Sequence, residues 1–504
     1  MRRSDAWTIE HKTPSKELMF RAGEGVVREG EKRGRFAGRT AIVCGSGNNA
    51  GDGYVIALLL AENNRDCCII RTSEKLSEDG AFYYGRCAAK NIPSVMMEEI
   101  TDLSRFDTIV DCILGTGFQG EPRGYAGKAI AAINQAHENG TYVIAVDINS
   151  GLNGDNGTAS LAVISDLTVS VGGLKSGQLL NSATDCIGEL VNCDIGIEPL
   201  LRPYHLMEEE DIPALFPQRR HESNKADFGY VALIGGSLRY SGAIRLANLA
   251  NSAVRSGAGV VKLAVPGEIC MGIMPHILES TLFPLSSENG DFLFSEEEFA
   301  QLLRGVKTAA FGMGIGNSPE TVKAVRYLLK QFHGVLILDA DGLNALSVIL
   351  SGEGTEILRN AACRVILTPH LKEFSRLNGK TVAEVRENMI PLAEEFAAAA
   401  EVIVLLKGPG TVITDGRETI ITTRGCPGMA SGGSGDVLSG ILAAVCASNA
   451  DELLKAAAAG AFINGYAGEL AQKQSNDVVM SAADTAAHVR DALTELLRGR
   501  PGCL

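Results

Sequence analysis

The residue with the clearest chemical setting in this sequence is Asp436, which ends a run of small residues, SGGSGD. The apolar face of Val437, Leu438, Ile441 and Leu442 predicts a helix directly after it. Glycines let backbone N–H groups crowd around a phosphate, and a helix N-terminus adds its dipole and unpaired donors. A carboxylate at that place repels phosphate, so it suits a base for a hydroxyl that attacks phosphorus. The alternative, a plain helix cap, does not need the glycines.

A second segment of this kind, LKGPGTVITD, precedes it. It places Lys407, Gly408, Pro409, Gly410 and Thr411 on a turn after a buried strand. Backbone amides, the lysine ammonium and the threonine hydroxyl suit nucleotide phosphates or ribose. A simple hairpin turn has the same pattern, so this segment alone does not decide between the two.

Three predicted strand ends in the first half carry acidic, amide or hydroxyl groups. They are Asn48, Asn49 and Asp52 after the first strand, Asp111 in IVDCILGTGFQGEPRG, and Asp147 and Ser150 in IAVDINSGLNGD. In a parallel sheet these loops emerge at the same edge. Oxygen ligands from adjacent loops suit a hard cation. The glycines of GTGFQG let a second backbone segment approach a phosphate.

The loop CGSGNNAGDG lies where a dinucleotide-binding fingerprint is expected, but it does not match G-x-G-x-x-G. Gly45 and Gly47 are followed by N-N-A before Gly51. An ordinary NAD domain also has an acidic residue about 20 residues after the glycines, for the ribose 2′-OH. The end of the next predicted strand has Arg71 and Thr72 instead. The pattern therefore argues against an ordinary NAD-binding domain.

In combination, LKGPGT, PGMASGGSGDVLSG, GGSLRYSGAIRLA and LTPHLKEF resemble the ribokinase-like NAD(P)H-hydrate dehydratases, from about position 211 onward. The resemblance implies that a nucleotide phosphorylates the C6 hydroxyl of a hydrated nicotinamide ring, after which phosphate is eliminated. Asp436 would be the base and a substrate ligand. Residues 407–411 and Gly435 would bind ADP, the implied phosphoryl donor, and magnesium is implied as a cofactor.

The same resemblance places Ala243, Gly316 and His370 against the hydrated dinucleotide, with Glu373 organising magnesium through water. A structural histidine at a strand end is the alternative for His370. The sequence departs from the family at two positions in the lining of this site. Met313 stands where GPGLG has proline, and a cysteine, Cys426, stands where asparagine is usual.

GNNAGDGY, DCILGTGFQGEPRG and VDINSGL, with TPSKELMFRAG near the start, resemble NAD(P)H-hydrate epimerase over about residues 1–211. This half would interconvert the R and S hydrates and supply the S form to the dehydratase. The implied substrate-binding residues are Asn48, Asn49, Ala50, Gly51, Asp52, Gly115, Thr116, Gly117, Phe118, Gln119, Gly120, Glu121 and Asp147. Potassium would be bound by Asn49, Asp111 and Ser150.

Epimerisation at C6, by ring opening or by proton transfer, needs a general acid or base. Asp147 is the candidate, and binding a substrate hydroxyl is its alternative role. Two positions depart from the epimerase motifs. Ala50 replaces the second glycine of NNGGDG, and Asn149 replaces the proline of DxPSG. Alanine is unfavourable at position 50 if the backbone there needs a positive φ.

Apolar and helix-like runs alternate in both halves. TAIVCG, DCCIIRT, DTIVDCIL, TYVIAVDI and DLTVSVGG are near-continuously apolar, which is typical of buried parallel strands. The fold class predicted is α/β: a Rossmann-like doubly wound parallel sheet, then a ribokinase-like α/β domain. A helix is expected over TPSKELMFRAGEGVVREG, another from about Gly53, and DELLKAAAAGAFINGYAGELAQKQ as the closing helix. The composition of the sequence changes over residues 198–225, which predicts a domain junction there. The predicted domains are residues 1–210 and 211–504.

Composition limits the function classes. The 504 residues suit two domains, and a net charge of -14 argues against nucleic-acid binding. The 12 cysteines form no CxxC pair, which argues against a zinc ribbon and fits a reducing, cytoplasmic location. No signal peptide and no uninterrupted apolar stretch of about 20 residues is evident. The expected partners are hydrated NADH or NADPH and ADP, with no nucleic acid and no membrane, and a homo-oligomer is expected although no segment specifies it.

Two other hypotheses remain open at this point. A ribokinase-type kinase acting on a small alcohol, such as a vitamin precursor, shares the phosphoryl-transfer step that GGSGD supports. The first half is alternatively a non-catalytic module that docks partners or stabilises an assembly.

Overall fold

The computed structural model describes residues 2–99, 102–200, 204–216, 221–222, 228–254 and 259–498. The chain divides into two compact units, Met1–Pro203 and Tyr204–Leu504. The sequence placed the boundary between residues 210 and 211, and the strand His205–Leu206 pairs within the second unit. Of the predicted junction, residues 201–203, 217–220 and 223–227 lie outside the described residues.

The first unit is built on a seven-stranded, all-parallel sheet with the order β3-β2-β1-β4-β5-β6-β7. The order reverses beside β1, which makes the carboxyl ends of β1 and β4 the expected ligand-binding edge. This confirms the doubly wound parallel sheet. The strands are β1 (Thr40–Cys44), β2 (Cys67–Arg71), β3 (Ser94–Met96), β4 (Thr108–Cys112), β5 (Tyr142–Val146), β6 (Ser165–Val171) and β7 (Ile187–Cys193).

Helices cover both faces of this sheet, and one of them corrects the sequence prediction. They are α1 (Arg2–His11), α2 (Ser15–Lys32), α3 (Asn48–Glu62), α4 (Glu78–Ala89), α5 (Gly124–Glu138) and α6 (Ala183–Cys186), with 3-10 turns at Met97–Glu99 and Ser176–Gln178. The prediction that α3 begins at about Gly53 is wrong. The amide of Asn49 donates to the carbonyl of Leu114 instead of to its own backbone, so it does not compete with the helical conformation.

The second unit contains a ten-stranded sheet with the order β11-β10-β9-β14-β15-β16-β17-β18-β19-β8. It is parallel from β11 to β17, and β17, β18 and β19 pair antiparallel. The strands are β8 (His205–Leu206), β9 (Tyr230–Ile234), β10 (Val260–Pro266), β11 (Thr281–Leu285), the separate ribbon β12 (Ser287–Glu288) and β13 (Asp291–Phe292), β14 (Val306–Phe311), β15 (Val335–Leu338), β16 (Arg364–Leu367), β17 (Ile403–Leu406), β18 (Thr411–Thr414) and β19 (Thr419–Thr422).

The helices of the second unit complete its α/β architecture, so the fold class predicted for both halves is confirmed. They are α7 (Ser241–Val254), α8 (Cys270–Ile273), α9 (Glu296–Leu302), α10 (Pro319–Gln331), α11 (Asp341–Glu353), α12 (Glu356–Arg359), α13 (Leu371–Asn378), α14 (Val382–Glu387), α15 (Met389–Ala400), α16 (Ser434–Ser448), α17 (Leu453–Gln474) and α18 (Ala482–Leu496). The 3-10 turns are Glu209–Asp211, Pro213–Leu215, Gly267–Ile269, Met274–His276, Pro427–Met429 and Ala450–Glu452. The predicted closing helix, α17, is followed by α18, so that prediction is wrong.

No single helix of the described residues has the length and apolar character needed to cross a bilayer. One pair, Ser434–Ser448 with Ala450–Gln474, passes by length and composition, but it is bent by 116° at its break. Most residues of both helices are buried in the core of the second unit. All cysteines of the described residues are free, and Cys44, Cys112 and Cys446 are buried.

Candidate active sites

The first unit brings Asn49, Asp111 and Ser150 together at the carboxyl ends of β1, β4 and β5. Asp111, which is fully buried, accepts hydrogen bonds from the Ser150 hydroxyl at 2.6 Å and the Ser150 backbone N–H at 2.8 Å. The Leu114 N–H donates to the Ser150 hydroxyl at 2.8 Å. The carbonyl of Leu114 accepts a hydrogen bond from the Asn49 amide at 2.9 Å. The three residues predicted to bind potassium therefore belong to one network.

One acceptor of this network has no partner. The Oδ1 atom of Asn49 is buried and receives no hydrogen bond from the described residues. An orphan acceptor of this kind attracts a ligand or water.

 Burial raises the pKa of Asp111 to about 6, against the hydrogen bonds from Ser150 and Ile113, which lower it. An orphan carbonyl oxygen beside a carboxylate and a hydroxyl suits a hard cation. No group of three His, Cys, Asp or Glu side chains in the described part of the chain has the arrangement of a metal site.

The segment Gly115 to Glu121 lies at the same edge, between β4 and α5. A Cβ atom added to Gly115 would lie 3.4 Å from the Cβ of Asn49, so this segment starts beside the first turn of α3. Gly115, Thr116 and Phe118 are half-buried, whereas the rest of the segment, Gly117, Gln119, Gly120 and Glu121, is exposed. The predicted substrate-binding segments therefore border one another, and their role in binding stays a prediction.

Asp147 forms a buried ion pair with Lys175, a residue that the sequence analysis did not single out. The Lys175 ammonium also donates to the Ser170 hydroxyl at 3.1 Å and to the carbonyl of Val171 at 2.8 Å. Oδ1 of Asp147 accepts a further hydrogen bond from the Val171 N–H at 3.1 Å. Asp147 has a φ of 67°, an uncommon conformation for a residue other than glycine. The pair is thus held rigidly at the ends of β5 and β6.

Two further carboxylates lie within electrostatic range of this pair. Burial raises the pKa of Asp52, in the first turns of α3, well above its ordinary value, and the charge of Asp147 raises it further while Lys175 lowers it. Burial and then Asp147 also raise the pKa of Asp5, on α1. We call Asn49, Asp52, Asp111, Asp147, Ser150 and Lys175 the first-unit site.

The departures from the epimerase motifs fit the structure. Ala50 is buried within α3 and does not have a positive φ, so the position does not require glycine. Asn149 is fully buried, and its amide donates to the carbonyls of Val163 and Cys186 and to the Ser165 hydroxyl. Its carbonyl oxygen accepts from the Thr168 hydroxyl at 2.6 Å. These hydrogen bonds fix the loop that carries Ser150 in place of a proline.

In the second unit, Asp436 lies in the first turn of α16, as predicted. Gly433 precedes the helix with a φ of 102°, which favours glycine. Burial raises the pKa of Asp436 to about 7, with a further increase from Asp339 and Asp341 and an opposing effect of Lys407. A base with a pKa near neutrality accepts a proton readily at physiological pH.

Lys407 follows β17 and forms an ion pair with Asp339. Asp339 was not singled out from the sequence. The Lys407 Nζ atom lies 2.9 Å from Oδ1 of Asp339. Burial lowers the pKa of the ammonium, but Asp339, Glu373 and Asp436 together raise it above its ordinary value. The turn of residues 407–411 joins β17 to β18, so the segment is a β-hairpin turn that also borders the candidate base.

His370 caps a helix, which is the structural role given as its alternative, and its contact with the hydrated dinucleotide stays a prediction. Its Nδ1 atom accepts hydrogen bonds from the N–H groups of Lys372 and Glu373, which caps α13. The neutral ring then carries its proton on Nε2. Burial and the charge of Lys407 lower the pKa of His370, so the ring is neutral near pH 7. The Glu373 carboxylate accepts from the His370 backbone N–H at 2.9 Å, and burial raises its pKa.

Gly316 and Ala243 lie on neighbouring segments. The Gly316 N–H donates to Asp341 at 2.9 Å, and a Cβ atom on Gly314 would lie 2.9 Å from that of Ala243. Met313 is fully buried in the core, so this departure from the family pattern leaves the surface of the site unchanged. Cys426 is half-buried, and its sulfur lies 3.8 Å from that of Met480. We call Asp339, His370, Lys407, Gly435 and Asp436 the second-unit site.

A cleft of about 780 Å³ in the second unit lies away from this site. Its lining includes Arg364 and Ile403, at the amino ends of β16 and β17, and the turn after β18. It is therefore at the opposite edge of the sheet from Asp436. In an open α/β sheet, ligands bind at the carboxyl edge, so the cleft is not the candidate active site.

Comparison with known proteins agrees with both resemblances. The family model described as NAD(P)H-hydrate dehydratase matches residues 231–490, and the one described as YjeF-related protein N-terminus matches residues 15–177. The bifunctional NAD(P)H-hydrate repair enzyme Nnr of Thermofilum pendens is 33% identical over 495 residues, which cover 95% of this chain and 92% of that protein. The protein of the same name from Coxiella burnetii is 32% identical over 502 residues, 97% of each chain.

Among solved structures, the ADP/ATP-dependent NAD(P)H-hydrate dehydratase from Bacillus subtilis is 24% identical. It covers 58% of this chain and 99% of its own, with a TM-score of 0.48. The two family matches and the near full-length relatives are sufficient for an assignment. This chain belongs to the family of bifunctional NAD(P)H-hydrate repair enzymes.

Proposed function

We propose that the protein repairs hydrated nicotinamide cofactors in two steps, one in each unit. The first unit interconverts the R and S hydrates of NADH and NADPH. The second unit dehydrates the S form with ADP as phosphoryl donor. The observation that carries the proposal is Asp436: a carboxyl with a pKa near 7 at the N-terminus of a helix that can bind phosphate.

In the second unit, the C6 hydroxyl of the S hydrate attacks the β-phosphorus of ADP while Asp436 takes its proton. The new O–P bond forms as the bond to AMP breaks. The C6–O bond then breaks, driven by the lone pair of the ring nitrogen, and phosphate leaves. Loss of the C5 proton restores the double bond of the reduced ring. The Nε2–H group of His370, which lies 3.4 Å from Oε1 of Glu373, is the proposed donor to the substrate.

In the first unit, either route of epimerisation moves a proton at the C6 oxygen. Asp147 is the proposed acid and base, because both hydrogen bonds that its carboxylate accepts from the described residues are to Oδ1. Oδ2 is then the oxygen that meets the substrate. The N-terminal turn of α3 and the segment Gly115 to Glu121 are proposed to bind the dinucleotide.

Two cations belong to the proposal. The orphan oxygen of Asn49, with Asp111 and Ser150, fits potassium in the first unit. Magnesium in the second unit would be held mainly by nucleotide phosphates and water, with Glu373 and Asp436 as outer partners. Bound there, it would neutralise phosphate charge during transfer.

The proposal is tested with a mixture of R and S hydrated NADH, magnesium and either ADP or ATP, followed by the absorbance of the reduced ring. Complete recovery of both forms, with AMP produced when ADP is the donor, is expected. No recovery with either nucleotide would overturn the dehydratase assignment. ADP-dependent phosphorylation of a small alcohol without recovery would favour the kinase hypothesis instead.

We also propose that the protein works in a reducing compartment, the cytoplasm, and as a homo-oligomer. The free cysteines of the described residues support the first proposal. Exposed apolar side chains at Met271, Met274 and Leu278 support the second, because such groups are often covered by a partner copy. Sedimentation of the protein and of Leu278→Asp over a range of concentrations tests it. A monomer at every concentration would contradict it.

A further inference from the structure

Asp339 holds a fixed place at the carboxyl end of β15. Its side chain is 3% exposed, and its backbone N–H donates to the carbonyl of Phe311 at 3.1 Å. The next residue, Ala340, has a φ of 46°, so the chain makes a strained turn directly after Asp339. Strain of this kind persists only where the surrounding structure holds it, which indicates that the direction of Asp339 is tightly determined.

Both oxygens of Asp339 are engaged by side chains from three other elements. Oδ1 accepts from the Thr368 hydroxyl, after β16, and from Lys407, each at 2.9 Å. Oδ2 accepts from the Ser439 hydroxyl of α16, also at 2.9 Å. A carboxylate so fully engaged is poorly placed to act as the base or to bind the substrate. Its effect must pass through a group that it holds.

Lys407 is that group. Its backbone N–H donates to the carbonyl of Pro369 at 2.8 Å, which fixes the start of the side chain. A Cβ atom on Gly435 would lie 3.3 Å from the Lys407 Nζ atom and 3.5 Å from Oδ2 of Asp339. The ammonium is therefore packed against the first turn of α16, one residue before Asp436. Its side chain is 22% exposed, so one side of it remains open.

We infer that Asp339 is a positioning residue: it holds the Lys407 ammonium against the N-terminus of α16, where the ammonium meets the phosphoryl group transferred from ADP. This inference rests on the proposed function of the second unit. A positive charge at this place stabilises negative charge on the phosphoryl oxygens during transfer. Without Asp339, the Lys407 ammonium loses the carboxylate that directs it.

The test is a double-mutant cycle of Asp339→Asn, Lys407→Met and the two combined, with kcat and KM for ADP measured on the S hydrate. If Asp339 acts through Lys407, Asp339→Asn lowers kcat/KM for ADP by about 10-fold to 100-fold, and the combined variant loses no more than Lys407→Met alone. Asp451→Asn, at the opposite edge of the sheet, is the matched control and should keep full activity.

An unchanged kcat/KM for ADP in Asp339→Asn would overturn the inference. A loss of kcat/KM in the combined variant equal to the product of the two single losses would also overturn it. So would an affinity of Asp339→Asn for ADP equal to that of the wild type. Thr368→Val removes one hydrogen bond from Asp339 and gives a milder second variant if Asp339→Asn does not fold. Calorimetric binding of ADP tests the inference without turnover. A wild-type protein that binds ADP but recovers no reduced ring would contradict the proposed function alone.

Discussion

Each unit has an aspartate–lysine pair at the carboxyl edge of its sheet, and the two pairs are engaged in opposite ways. In the first unit the ammonium of Lys175 donates to Asp147, to Ser170 and to the carbonyl of Val171, which accounts for its three protons. In the second unit it is the carboxylate, Asp339, whose two oxygens are both engaged.

The atoms that remain unengaged in each pair indicate which partner is open to a substrate. Lys175 donates all its protons, so it is the proposed support, and Asp147 keeps Oδ2 free of hydrogen bonds from the described residues. Asp339 has both oxygens engaged, so it is the proposed support, and Lys407 is the partner proposed to meet a phosphate. The same pair of residue types thus suits proton transfer in one site and charge stabilisation in the other.

The largest expected effect separates the two sites. Asp436→Asn should lower the dehydration of the S hydrate by about 10³-fold or more, because the attacking hydroxyl loses its base. Epimerisation should be unchanged, since Asp147, the proposed acid and base of the first unit, is left intact. Both rates are measured on the same preparation, by ring absorbance and by chromatography of the R and S forms. Equal loss of both activities would contradict the separation of the two sites.

Removing the supporting lysine sharpens the comparison. Lys175→Met should lower epimerisation by about 10²-fold and the free energy of unfolding by about 3 kcal/mol, because it leaves the carboxylate of Asp147 partly buried without its ion-pair partner. Thermal unfolding and both rates are the measurements. Dehydration of pure S hydrate is the internal control. Full epimerisation despite lost stability would show that Asp147 does not depend on Lys175.

The pH dependence of dehydration tests the state of Asp436. The base works in its deprotonated form, and its pKa is raised to about 7, so kcat/KM should fall about 10-fold per pH unit below 7 and level off above it. The rate is measured with pure S hydrate across this range. A profile that stays level well below pH 7 would contradict a base with this pKa.

A smaller effect is expected at the cation site of the first unit. Asn49→Leu removes the orphan oxygen, so epimerisation should fall by about 10-fold and no longer respond to potassium. The rate is compared in potassium chloride and in choline chloride, with the wild type alongside. A wild-type rate that is the same in both salts would argue against potassium at Asn49.

The smallest effect is expected at the position that departs from the family motif. Ala50→Gly should lower the free energy of unfolding of the first unit by about 1 kcal/mol or less, because Ala50 is helical and glycine costs more conformational entropy there. Epimerisation should stay within about twofold of the wild type. A clear gain in epimerisation would show that backbone approach at position 50 matters after all.

The strands, the two α/β units and the placement of Asp436 were predictable from the sequence because they depend on local patterns: apolar runs, small residues and the residue that ends each run. The two supporting residues were not, because each pairing joins distant positions. Lys175 lies 28 residues from Asp147, and Lys407 lies 68 residues from Asp339. The early start of α3 was missed because the amide of Asn49 bonds to Leu114, 65 residues away. The roles predicted for the individual site residues stay predictions.

One measurement tests most directly whether epimerisation and dehydration take place in separate units. Asp147→Asn protein is mixed with equal amounts of R and S hydrated NADH, magnesium and excess ADP, and the absorbance of the reduced ring is followed. We expect the S form to be converted to NADH at the wild-type rate and the R form only at the rate of spontaneous epimerisation. Addition of Asp436→Asn protein should restore fast conversion of the R form. Fast and complete recovery by Asp147→Asn alone would show that Asp147 is not the acid and base of epimerisation.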